Sequence, residues 1–521
     1  MHEHSLVLWK GTPHQVRFVN LTVVILCLVL FASQPSWAQT SGEIEISLVE
    51  AKSDAQLVCR VQLRSAGGKS VKPRALDTVG PWQLVDRKLA YRGKPGDYDY
   101  EIYHGPEFGP ARGRFTLDKK SEAVDTIELP RYANLASEGW LGGDMLSYLP
   151  TDRGTRWLKA EELFWVASVL DPSNEKTPEP VAENSKNAYS SFLDHRLGSG
   201  VLIHHANPAL MLESSEAPTA KLDSSPSSKL IVAAKKHQNE IADSPVHVEI
   251  QKLWARDLPT WLASGRVDSV QLLSDHLTID GKGAAEVRPL VIPEGKFQGG
   301  RAAGRIVEQI YWQMLHAGFR IPLTAGSGFG KGSSPMGYNR VYALVGSKRA
   351  DNWWQAIRAG NSFVTNGPLL RVDINGMPPG HVFQSNDAIE LEIGATVTVA
   401  DPVEYLEVIH NGQSLYRAAL DEFAKQGGKI PPLKIDRSGW LIVRVITGRD
   451  FTYRMATTSP FYFEIKGSQR IQAKAVEYFQ RWLKVAREEI AKLPVEEQKL
   501  HEPYLSSAEK FWQARLEQAT E

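Results

Sequence analysis

Apolar and polar residues alternate along the early part of the chain, and this alternation predicts β-strands. Ile44, Ile46 and Leu48 occupy every second position of one run, and residues 98–102 repeat the pattern. Alternation places the apolar side chains on one face of a strand, where they can pack against a second sheet. Turn sequences such as Ala-Gly-Gly-Lys separate the runs. We therefore predict a β-sandwich over residues 42–135.

From residue 139 the pattern is mixed, and it predicts a second type of domain. The runs GVLIHHANPALML, KLIVAAKK, VHVEI and VDSVQLL are typical of buried strands, and helical segments such as LPTWLASG lie between them. Two stretches rich in Pro, Ser and Glu, residues 171–187 and 213–229, are predicted to be exposed loops. Strands that alternate with helices predict an α/β barrel or sheet, here over residues 139–369.

Two helices of this region carry clear end signals. The segment EQIYWQMLHAG keeps apolar residues on one face and is predicted to end at Gly318. A second helix is predicted to begin at the N-cap candidate Asp351 and to end at Gly360. Glycine favours these ends because it readily adopts the positive φ that is common just after a helix.

The remainder of the chain returns to strands and ends in helices. Alternation within residues 370–466, with a hairpin turn at Asn411, predicts a second β-sandwich. Residues 468–521 are predicted to be helical, with Ser506 and Glu509 forming a capping box for the last helix. The predicted fold class is therefore multidomain α/β, with a barrel flanked by N-terminal and C-terminal β-sandwiches and followed by a helical tail.

Residues 1–38 have the features of a secretory signal peptide. Lys10 and Arg17 precede an apolar run, and the small residues Ser36 and Ala38 form a cleavage site. We expect the protein to be exported to the periplasm or the extracellular space, and the alternative is an uncleaved membrane anchor. No stable membrane insertion is expected once the peptide has been cleaved.

Charge and cysteine content exclude some classes of partner and site. Of the 521 residues, 60 are Lys or Arg and 60 are Asp or Glu, so we expect no nucleic-acid partner. Cys59 is the single thiol left after cleavage, which excludes an intramolecular disulfide and a zinc site built from cysteines. The alternation of its neighbours predicts that Cys59 is a buried strand residue.

Histidine and carboxylate residues of the α/β region are candidate metal ligands. His247 and Glu249 lie two residues apart in a predicted strand, so both side chains point to the same face. His276 follows another predicted strand, next to Asp275. Metal sites on α/β scaffolds are built from such residues at several strand ends. The alternative is that each histidine is a hydrogen-bonded residue of the core.

Four segments of the chain share their residue pattern with one known family. GWLGGDMLSYL is similar to a segment that reads Gly-Trp-x-x-Gly-Asp-Leu-His-x-His, and DLPTWLASGRVDSVQLLSDH is similar to the family's middle section. GFRIPLTAGSGFGKGSSPMGYNRVYALV and the later WWQAIRAGNSFVTNGPLLRVDINGMPPGHVF are similar to its downstream section. Together they resemble bacterial metallohydrolases of the CehA/McbA type, which belong to the superfamily of polymerase and histidinol phosphatase (PHP) domains. The resemblance runs from about residue 95 to residue 515.

The resemblance implies a distorted α/β barrel whose strand ends hold divalent metal ions for hydrolysis of ester or phosphoester bonds. Asp144 matches the family's Asp, but Leu146 and Tyr148 stand where the family has its two histidines. The family's late Gly-Ser-Asp-x-His segment falls on residues 326–329, which contain neither Asp nor His. Two of the expected groups of metal ligands are therefore missing from the sequence.

By position, the remaining candidate ligands are Asp144, His247 and His276, with His205 or Glu249 as a further ligand. Such a reduced set implies either one divalent ion, zinc or manganese, or no metal at all.

Two hypotheses about function follow from this reduced set. The preferred one is a pseudoenzyme or binding protein with a degraded metal site, whose ligand is a small molecule or a glycan. In it, Asp144 is a remnant held by backbone donors near Gly142 and Gly143. The alternative is an active hydrolase of ester or phosphoester bonds that uses a single metal ion.

A polar rim supplies candidate substrate-binding residues. Arg320 and Arg340 are candidates for holding an anionic ligand, and Ser327 and Asn339 are candidates for hydrogen bonds to it. A third hypothesis is a metal-free hydrolase that uses part of this rim together with residues 365–366. The alternative for that segment is a structural turn with positive φ at its Asn-Gly pair.

Overall fold

The computed structural model describes residues 41–73, 76–170, 191–195, 198–205, 225–236 and 245–521. The expected signal peptide, the first predicted polar loop and most of the second lie outside these residues. The chain forms two compact units. Within the described residues, the first unit comprises the chain up to Asn134 together with Lys159–Glu162, and the second comprises Leu135–Leu158 and Leu163–Glu521.

The first unit consists of strands in two sheets. Its described strands are β1 Gly42–Glu50, β2 Val58–Ser65, β3 Ser70–Val71, β4 Asp77–Val79, β5 Trp82–Asp86, β6 Lys88–Gly93, β7 Gly96–Tyr103, β8 Ala111–Leu117 and β9 Glu122–Leu129. One sheet has the order β6-β1-β9, and the other has the order β4-β5-β2-β7-β8 with β3 beside β2. The predicted alternation is confirmed, because Ile44, Ile46 and Leu48 of β1 are buried and share one apolar core with β2.

Cys59 lies in β2 and is fully buried, as its alternating neighbours predict. Burial raises the pKa of its thiol well above the ordinary value, so Cys59 is a packing residue rather than a nucleophile. The adjacent Arg60 forms a buried ion pair with Glu161 at 2.5 Å, and its guanidinium lies 4.1 Å from the ring centre of Trp82.

The second unit combines strands and helices. Its described strands are β10 Trp140–Ser147, β11 Trp165–Leu170, β12 Ser191–Asp194, β13 Val201–His204, β14 His247–Ile250, β15 Ser269–Leu273, β16 Leu323–Ala325, β17 Arg340–Leu344, β18 Ser362–Thr365, β19 Leu369–Ile374, β20 Val382–Ser385, β21 Ile389–Leu391, β22 Ile393–Thr398, β23 Val403–His410, β24 Gln413–Ala418, β25 Leu433–Ile435, β26 Gly439–Thr447, β27 Met455–Thr458 and β28 Phe461–Ile465. Its described helices are α1 Thr151–Ala160, α2 Ser227–Lys236, α3 Leu258–Ala263, α4 Ala302–His316, α5 Ala350–Ala359, α6 Leu420–Lys425, α7 Ala473–Ile490 and α8 Val495–Glu517.

One sheet dominates this unit. Its order is β16-β15-β14-β13-β12-β11-β10-β17-β18-β27-β26-β23-β24, with β28 beside β26 and β20 beside β28. The strands β10, β11, β12, β14, β15 and β16 run in the same direction, and β13 runs against them. All residues of β10, β14 and β15 are buried, as expected for strands that are covered on both faces.

Backbone contacts join the two ends of the run from β10 to β16. The segment that follows β16 returns to the end of β10, where the Gly328 N–H donates to the Leu146 carbonyl at 2.9 Å. The Tyr148 N–H donates to the Phe329 carbonyl at 2.8 Å, and Ser147 forms a parallel bridge with Phe329. This run of strands therefore closes on itself, and its seam lies beside the segment that resembles the family's metal-binding motif.

Glycines end two helices where the sequence predicts it. Gly318 has a φ of +84° just after α4, and Gly360 has a φ of +73° at the end of α5. The predicted N-cap of α5 is wrong by two positions, because Arg349 is the cap and Asp351 lies in the first turn. An acidic residue there still interacts favourably with the positive end of the helix dipole.

Three other predictions of secondary structure are wrong. The end of the exposed loop predicted over residues 213–229 instead begins the helix α2, where Ser227 and Ser228 are buried. KLIVAAKK, predicted as a buried strand, belongs to the helix α2, which buries Leu230, Ile231 and Ala234 on one face. Ser506 does not cap a helix, because α8 continues through it and its hydroxyl donates to Glu502 one turn earlier. Short apolar runs and capping-box patterns occur inside helices as well as at strands and helix ends, so local pattern alone does not separate them.

The C-terminal strands continue the large sheet. The strand β18 pairs with β27, and β27 pairs with β26, so residues of the predicted second sandwich share a sheet with residues before 369. The remaining strands there form the pairs β19–β22 and β21–β25. The predicted hairpin turn is confirmed, since Asn411 and Gly412 have φ values of +51° and +79° between β23 and β24.

The described chain is thus mixed α/β and rich in strands, with several sheets and the eight helices given above. The predicted C-terminal helices are confirmed as α7 and α8, and the stripe of Ala475, Phe479, Trp482 and Ala486 is buried. Among the described residues, no helix combines the length and the apolar character that crossing a membrane requires.

A buried ion-pair network provides a test of what stabilises the large unit. Arg444 of β26 contacts Glu308 at 2.5 Å and Glu407 at 2.8 Å, and all three side chains are largely buried. We expect Arg444→Met to lower the free energy of unfolding by about 3–5 kcal/mol, because it leaves two carboxylates buried without their cation. Chemical denaturation followed by circular dichroism measures this loss.

The matched control is Arg487→Met, which removes a partly exposed arginine that pairs with the exposed carboxylates of Glu502 and Glu509. Solvent screens such pairs, so the expected loss is about 0–1 kcal/mol. Equal losses in the two variants would show that the buried network does not contribute as its geometry indicates.

Candidate functional site

Asp144 is the acidic residue of the segment that resembles the metal-binding motif, and it lies fully buried in β10. One carboxylate oxygen accepts hydrogen bonds from the N–H groups of Leu146 at 3.0 Å and Ser327 at 2.9 Å. The other oxygen accepts from the Gly337 N–H at 2.7 Å. The prediction that backbone N–H groups hold the Asp144 carboxylate is confirmed. The prediction that these groups lie near Gly142 and Gly143 is wrong.

The glycine pair has a packing function instead. A Cβ atom on Gly143 would collide with the indole ring of Trp353, and a Cβ atom on Gly142 would lie 3.2 Å from the ring of Tyr342. The small residues therefore allow two aromatic rings to approach the strand, which explains a Gly-Gly pair beside Asp144 without a role in chemistry.

Leu146 and Tyr148 stand where the resemblance would place two histidines. Leu146 is fully buried in an apolar cluster with Val169, Leu193 and Leu202, against which Tyr148 packs. Gly326 lies directly beside it, since a Cβ atom at Gly326 would be 2.5 Å from the Leu146 Cβ. The interior position at this strand end is therefore filled by hydrocarbon.

His247 and Glu249 share one face of β14, as predicted, and they belong to one chain of hydrogen bonds. The His247 Nε2 atom lies 2.7 Å from the Ser269 hydroxyl, which donates to Glu249 at 2.8 Å. The Gln271 amide donates to the other oxygen of Glu249 at 2.5 Å. Burial, with a contribution from His204, lowers the pKa of His247 well below its ordinary value, so its ring is neutral at pH 7.

His204 lies opposite His247 on the neighbouring strand β13. Its Nδ1 atom is 2.6 Å from the Ser191 hydroxyl, and its Nε2 atom is 3.9 Å from Glu249. The ring of His205, the next residue, packs against Trp354 with ring centres 4.6 Å apart, and the rings of His204 and His247 contact the same tryptophan at 5.2 Å and 4.9 Å. Burial, with the neighbouring His204, lowers the pKa of His205 to about 4.

His276 lies just beyond the end of β15 and is separate from this chain of hydrogen bonds. Its ring packs edge-on against Trp254, with ring centres 4.9 Å apart. Neither ring nitrogen has a hydrogen-bond partner within the described part of the chain. Burial lowers the pKa of His276 to about 3, so the ring is neutral.

The candidate ligands do not fit a shared divalent ion. His247 contacts the first residue of β15, Ser269, whereas His276 follows the last residue of that strand. The strand alone spans roughly 13 Å, several times a metal–ligand distance of about 2 Å. Among residues 41–521, apart from the segments that are not described, no group of three or more His, Cys, Asp and Glu side chains is arranged to hold a metal.

Three of the four predicted substrate-binding residues lie together beside Asp144. The Ser327 hydroxyl donates to the Asn339 carbonyl at 3.1 Å and accepts from the Asn339 N–H at 3.0 Å. The Arg340 guanidinium donates to the Gly337 carbonyl at 2.5 Å. These three side chains are buried and hold backbone segments in place, so they do not form an exposed rim.

Arg320 is separate from the other three. It forms an ion pair with Glu464 of β28 at 2.5 Å, and its side chain is about one-third exposed. The prediction that Arg320 and Arg340 face the same ligand therefore has no support in their placement.

The segment proposed for metal-free hydrolysis forms a turn. The Thr365 hydroxyl donates to the Pro368 carbonyl at 2.5 Å, and the Asn366 side chain bonds the backbones of Tyr453 and Met455. The expected positive φ is absent at Asn366 and Gly367. Both polar side chains are used in holding the turn against β27.

Some polar residues of the interior were not predicted as part of a site. Gln251 donates to Asp275 at 2.6 Å and to Ser274 at 2.8 Å, while Ser269 and Gln271 hold Glu249. The signal was present in the sequence, because polar residues occupy alternate positions of otherwise apolar strands. Such polar rows face the closed interior of the strand run, where they bond one another.

The chemistry open to this interior is limited by access. A serine between a histidine and a carboxylate, as at Ser269, could in principle become a nucleophile. However, Ser269, His247 and Glu249 are all fully buried, so no substrate reaches the hydroxyl in this conformation. The hydrogen bonds therefore satisfy buried polar groups rather than prepare a reaction.

The environment of Asp144 predicts a pH effect on stability. Burial raises the pKa of Asp144 from 3.8 to about 6, although the N–H groups of Gly337, Ser327 and Leu146 oppose this shift. The folded protein then keeps a proton that the unfolded chain releases, so the stabilising contribution is greatest below about pH 4 and is lost as pH rises through about 6.

We expect the stability advantage of the wild type over Asp144→Asn to shrink by about 3 kcal/mol between about pH 4 and pH 7. Urea denaturation at several pH values measures it, with Asp387→Asn, which removes an exposed carboxylate, as the control. An advantage that grows with pH would show that the three backbone donors outweigh burial.

Comparisons with known proteins do not assign a family. No protein-family model matches the chain, and no curated protein matches it. Among solved structures, the Bacillus anthracis TIE protein is 14% identical, with 21% of this chain and 19% of that chain covered and a TM-score of 0.15. The C-terminal domain of the shaft pilin SpaA from Lactobacillus rhamnosus GG is 12% identical, with 18% and 99% covered and a TM-score of 0.12.

The β-glucuronidase of Parabacteroides merdae is 9% identical, with 80% of this chain and 61% of that chain covered and a TM-score of 0.17. The chain therefore spans about a fifth of the TIE protein and about three fifths of the glucuronidase. Similarity at this level carries no argument about fold or function, and both rest on the geometry of the chain itself.

Proposed function

We propose that the protein is an exported, non-catalytic relative of the CehA/McbA-type PHP metallohydrolases, whose PHP-like barrel serves binding rather than hydrolysis. The observation that carries this proposal is the use of Asp144, whose two carboxylate oxygens accept three backbone hydrogen bonds. Metal coordination would compete with these bonds for the same lone pairs.

The replaced histidine positions support the same proposal. Leu146 offers no donor atom and fills the interior with three other apolar side chains. Tyr148 has its hydroxyl 3.4 Å from His195 and its ring 5.0 Å from the Lys331 ammonium. A neighbouring cation disfavours a second cation, so this strand end is a poor place for a divalent ion.

The late ligand segment also has a different use in this chain. Gly328 has a φ of +66°, and a Cβ atom there would lie 2.8 Å from the Cβ of Asp275. Any larger residue, including an aspartate, would therefore be strained at this position. Phe329 is buried against Trp157, with ring centres 5.0 Å apart. Packing has replaced metal ligation at both ends of the seam.

The active single-metal hydrolase stays the alternative. It requires Asp144, His247 and His276 to converge on one ion, with Glu249 or His205 as a further ligand. The positions of His247 and His276 relative to β15 oppose this arrangement. We therefore retain the binding role, with a small molecule or a glycan as the class of ligand.

Metal content decides between the two functions. We expect the full-length protein, incubated with zinc or manganese and then desalted, to carry far less than one ion per chain by inductively coupled plasma mass spectrometry. His247→Ala and His276→Ala should leave that low value unchanged, and no variant should hydrolyse p-nitrophenyl acetate or p-nitrophenyl phosphate above the buffer rate. Near-stoichiometric metal that both substitutions abolish would establish the hydrolase instead.

A further inference from the structure

A pocket lies at the opposite end of the strands from Asp144. Its cavity volume is about 100 Å³, well below the roughly 300–1,000 Å³ of pockets for drug-sized ligands, so it has room for a small group only. It opens where Pro322 leads into β16 and where α5 ends at Gly360. The lining residues are Arg320, Pro322, Arg358, Ala359, Gly360, Gly380, Val382, Ser459, Pro460 and Tyr462.

The floor of this pocket depends on close backbone contact. Gly380 packs against the carbonyl of Ala359 so closely that a Cβ atom would collide with it, and its N–H donates to the Pro460 carbonyl. The Ser459 hydroxyl accepts a hydrogen bond from the Leu323 N–H at 3.2 Å and lies 2.9 Å from the Ser362 hydroxyl, which donates to the Leu323 carbonyl at 3.4 Å. The walls are thus fixed by the sheet and by the end of α5, so the pocket is preformed.

Arg358 is the charged group of the pocket that has no carboxylate partner among the described residues. It donates one hydrogen bond, from Nη2 to the Pro245 carbonyl at 2.9 Å, and no carboxylate lies within 4.0 Å of it among the described residues. A guanidinium carries several further N–H donors in a planar fork. Burial lowers the pKa of Arg358, and the Asp268 carboxylate offsets part of this effect.

Arg320 adds a second cation to the same wall. It pairs with Glu464 through one nitrogen, and its guanidinium lies 5.1 Å from the ring centre of Tyr462. The pocket lining therefore contains two arginines and no acidic residue. Even with Glu464 counted, Arg358 has no ion pair with a carboxylate of the described residues.

A neighbouring pocket shows the contrast. Arg320 also lines it, together with Arg470, but Arg470 pairs with Glu521 at 2.7 Å. Both arginines of that pocket have a carboxylate partner, so it has no uncompensated charge. The pocket beside Arg358 differs because one of its arginines has no carboxylate partner among the described residues, and such a cation attracts an anion.

We propose that the pocket between Arg320 and Arg358 binds a small oxyanion, either a phosphate or a carboxylate head group. Arginine forks hold such groups through two parallel, charge-assisted hydrogen bonds. A bound anion would supply a counterion that the described residues do not provide for Arg358. This inference does not depend on the proposed loss of metal binding, because the pocket shares no residue with the surroundings of Asp144.

Isothermal titration calorimetry of the full-length protein tests the proposal, with inorganic phosphate and acetate as probes and chloride at matched ionic strength as the blank. We expect saturable binding of at least one probe. Arg358→Gln should weaken the affinity for that probe about tenfold or more, because a charge-assisted bond is lost. Arg349→Gln is the matched control, since Arg349 precedes the same helix with an exposed side chain and lies outside the pocket lining.

A second substitution keeps the test valid if Arg358→Gln unfolds. Arg358→Lys retains the charge but removes the fork, so its affinity should fall between those of the wild type and Arg358→Gln. Saturable binding of phosphate alone or acetate alone identifies the head group. Heats equal to the chloride blank in the wild type, or unchanged affinity in a folded Arg358 variant, would overturn the proposal.

Discussion

The carboxylate of Asp144 holds together three parts of the second unit that are distant in sequence. It accepts N–H groups from its own strand β10, from Ser327 after β16 and from Gly337 before β17. These segments meet at the seam where the run of strands closes. A buried carboxylate is costly unless its oxygens are bonded, and backbone donors that nothing else satisfies are costly too. Each therefore requires the other, and this mutual dependence fixes the geometry of the strand end.

The residue types at this strand end can either bind a metal or hold the backbone in place. The sequence therefore resembles a metal site whether or not the folded chain binds a metal. The sequence correctly placed His247 and Glu249 on one face, since alternation along one strand is a local property. It did not reveal that Ser269 and Gln271 satisfy them, because the register between two strands is set by the whole sheet. The position of each candidate ligand on its strand was thus predictable, whereas the distances between the candidate ligands were not.

Predictions of the fold succeeded where a single residue determines the local backbone conformation. They failed where the structure of a segment depends on the other segments that it packs against. Gly360 ends a helix and Asn411 begins a hairpin turn because both adopt positive φ readily. The run KLIVAAKK contains no such residue, and its apolar positions suit a strand or a helix face equally. Pairing of β18 with β27 likewise joins segments about 90 residues apart, which no local pattern encodes.

The two ends of the strand run differ in how completely their polar groups are satisfied. Near Asp144, the carboxylate, Ser327 and Asn339 bond one another and the backbone, so a ligand there would have to displace bonds that already exist. At the other end, Arg358 retains donors that the described chain does not use. Binding energy comes from groups that gain partners in the complex. The end of the strands near Asp144 can therefore be structural while the opposite end of the same strands remains available for a ligand.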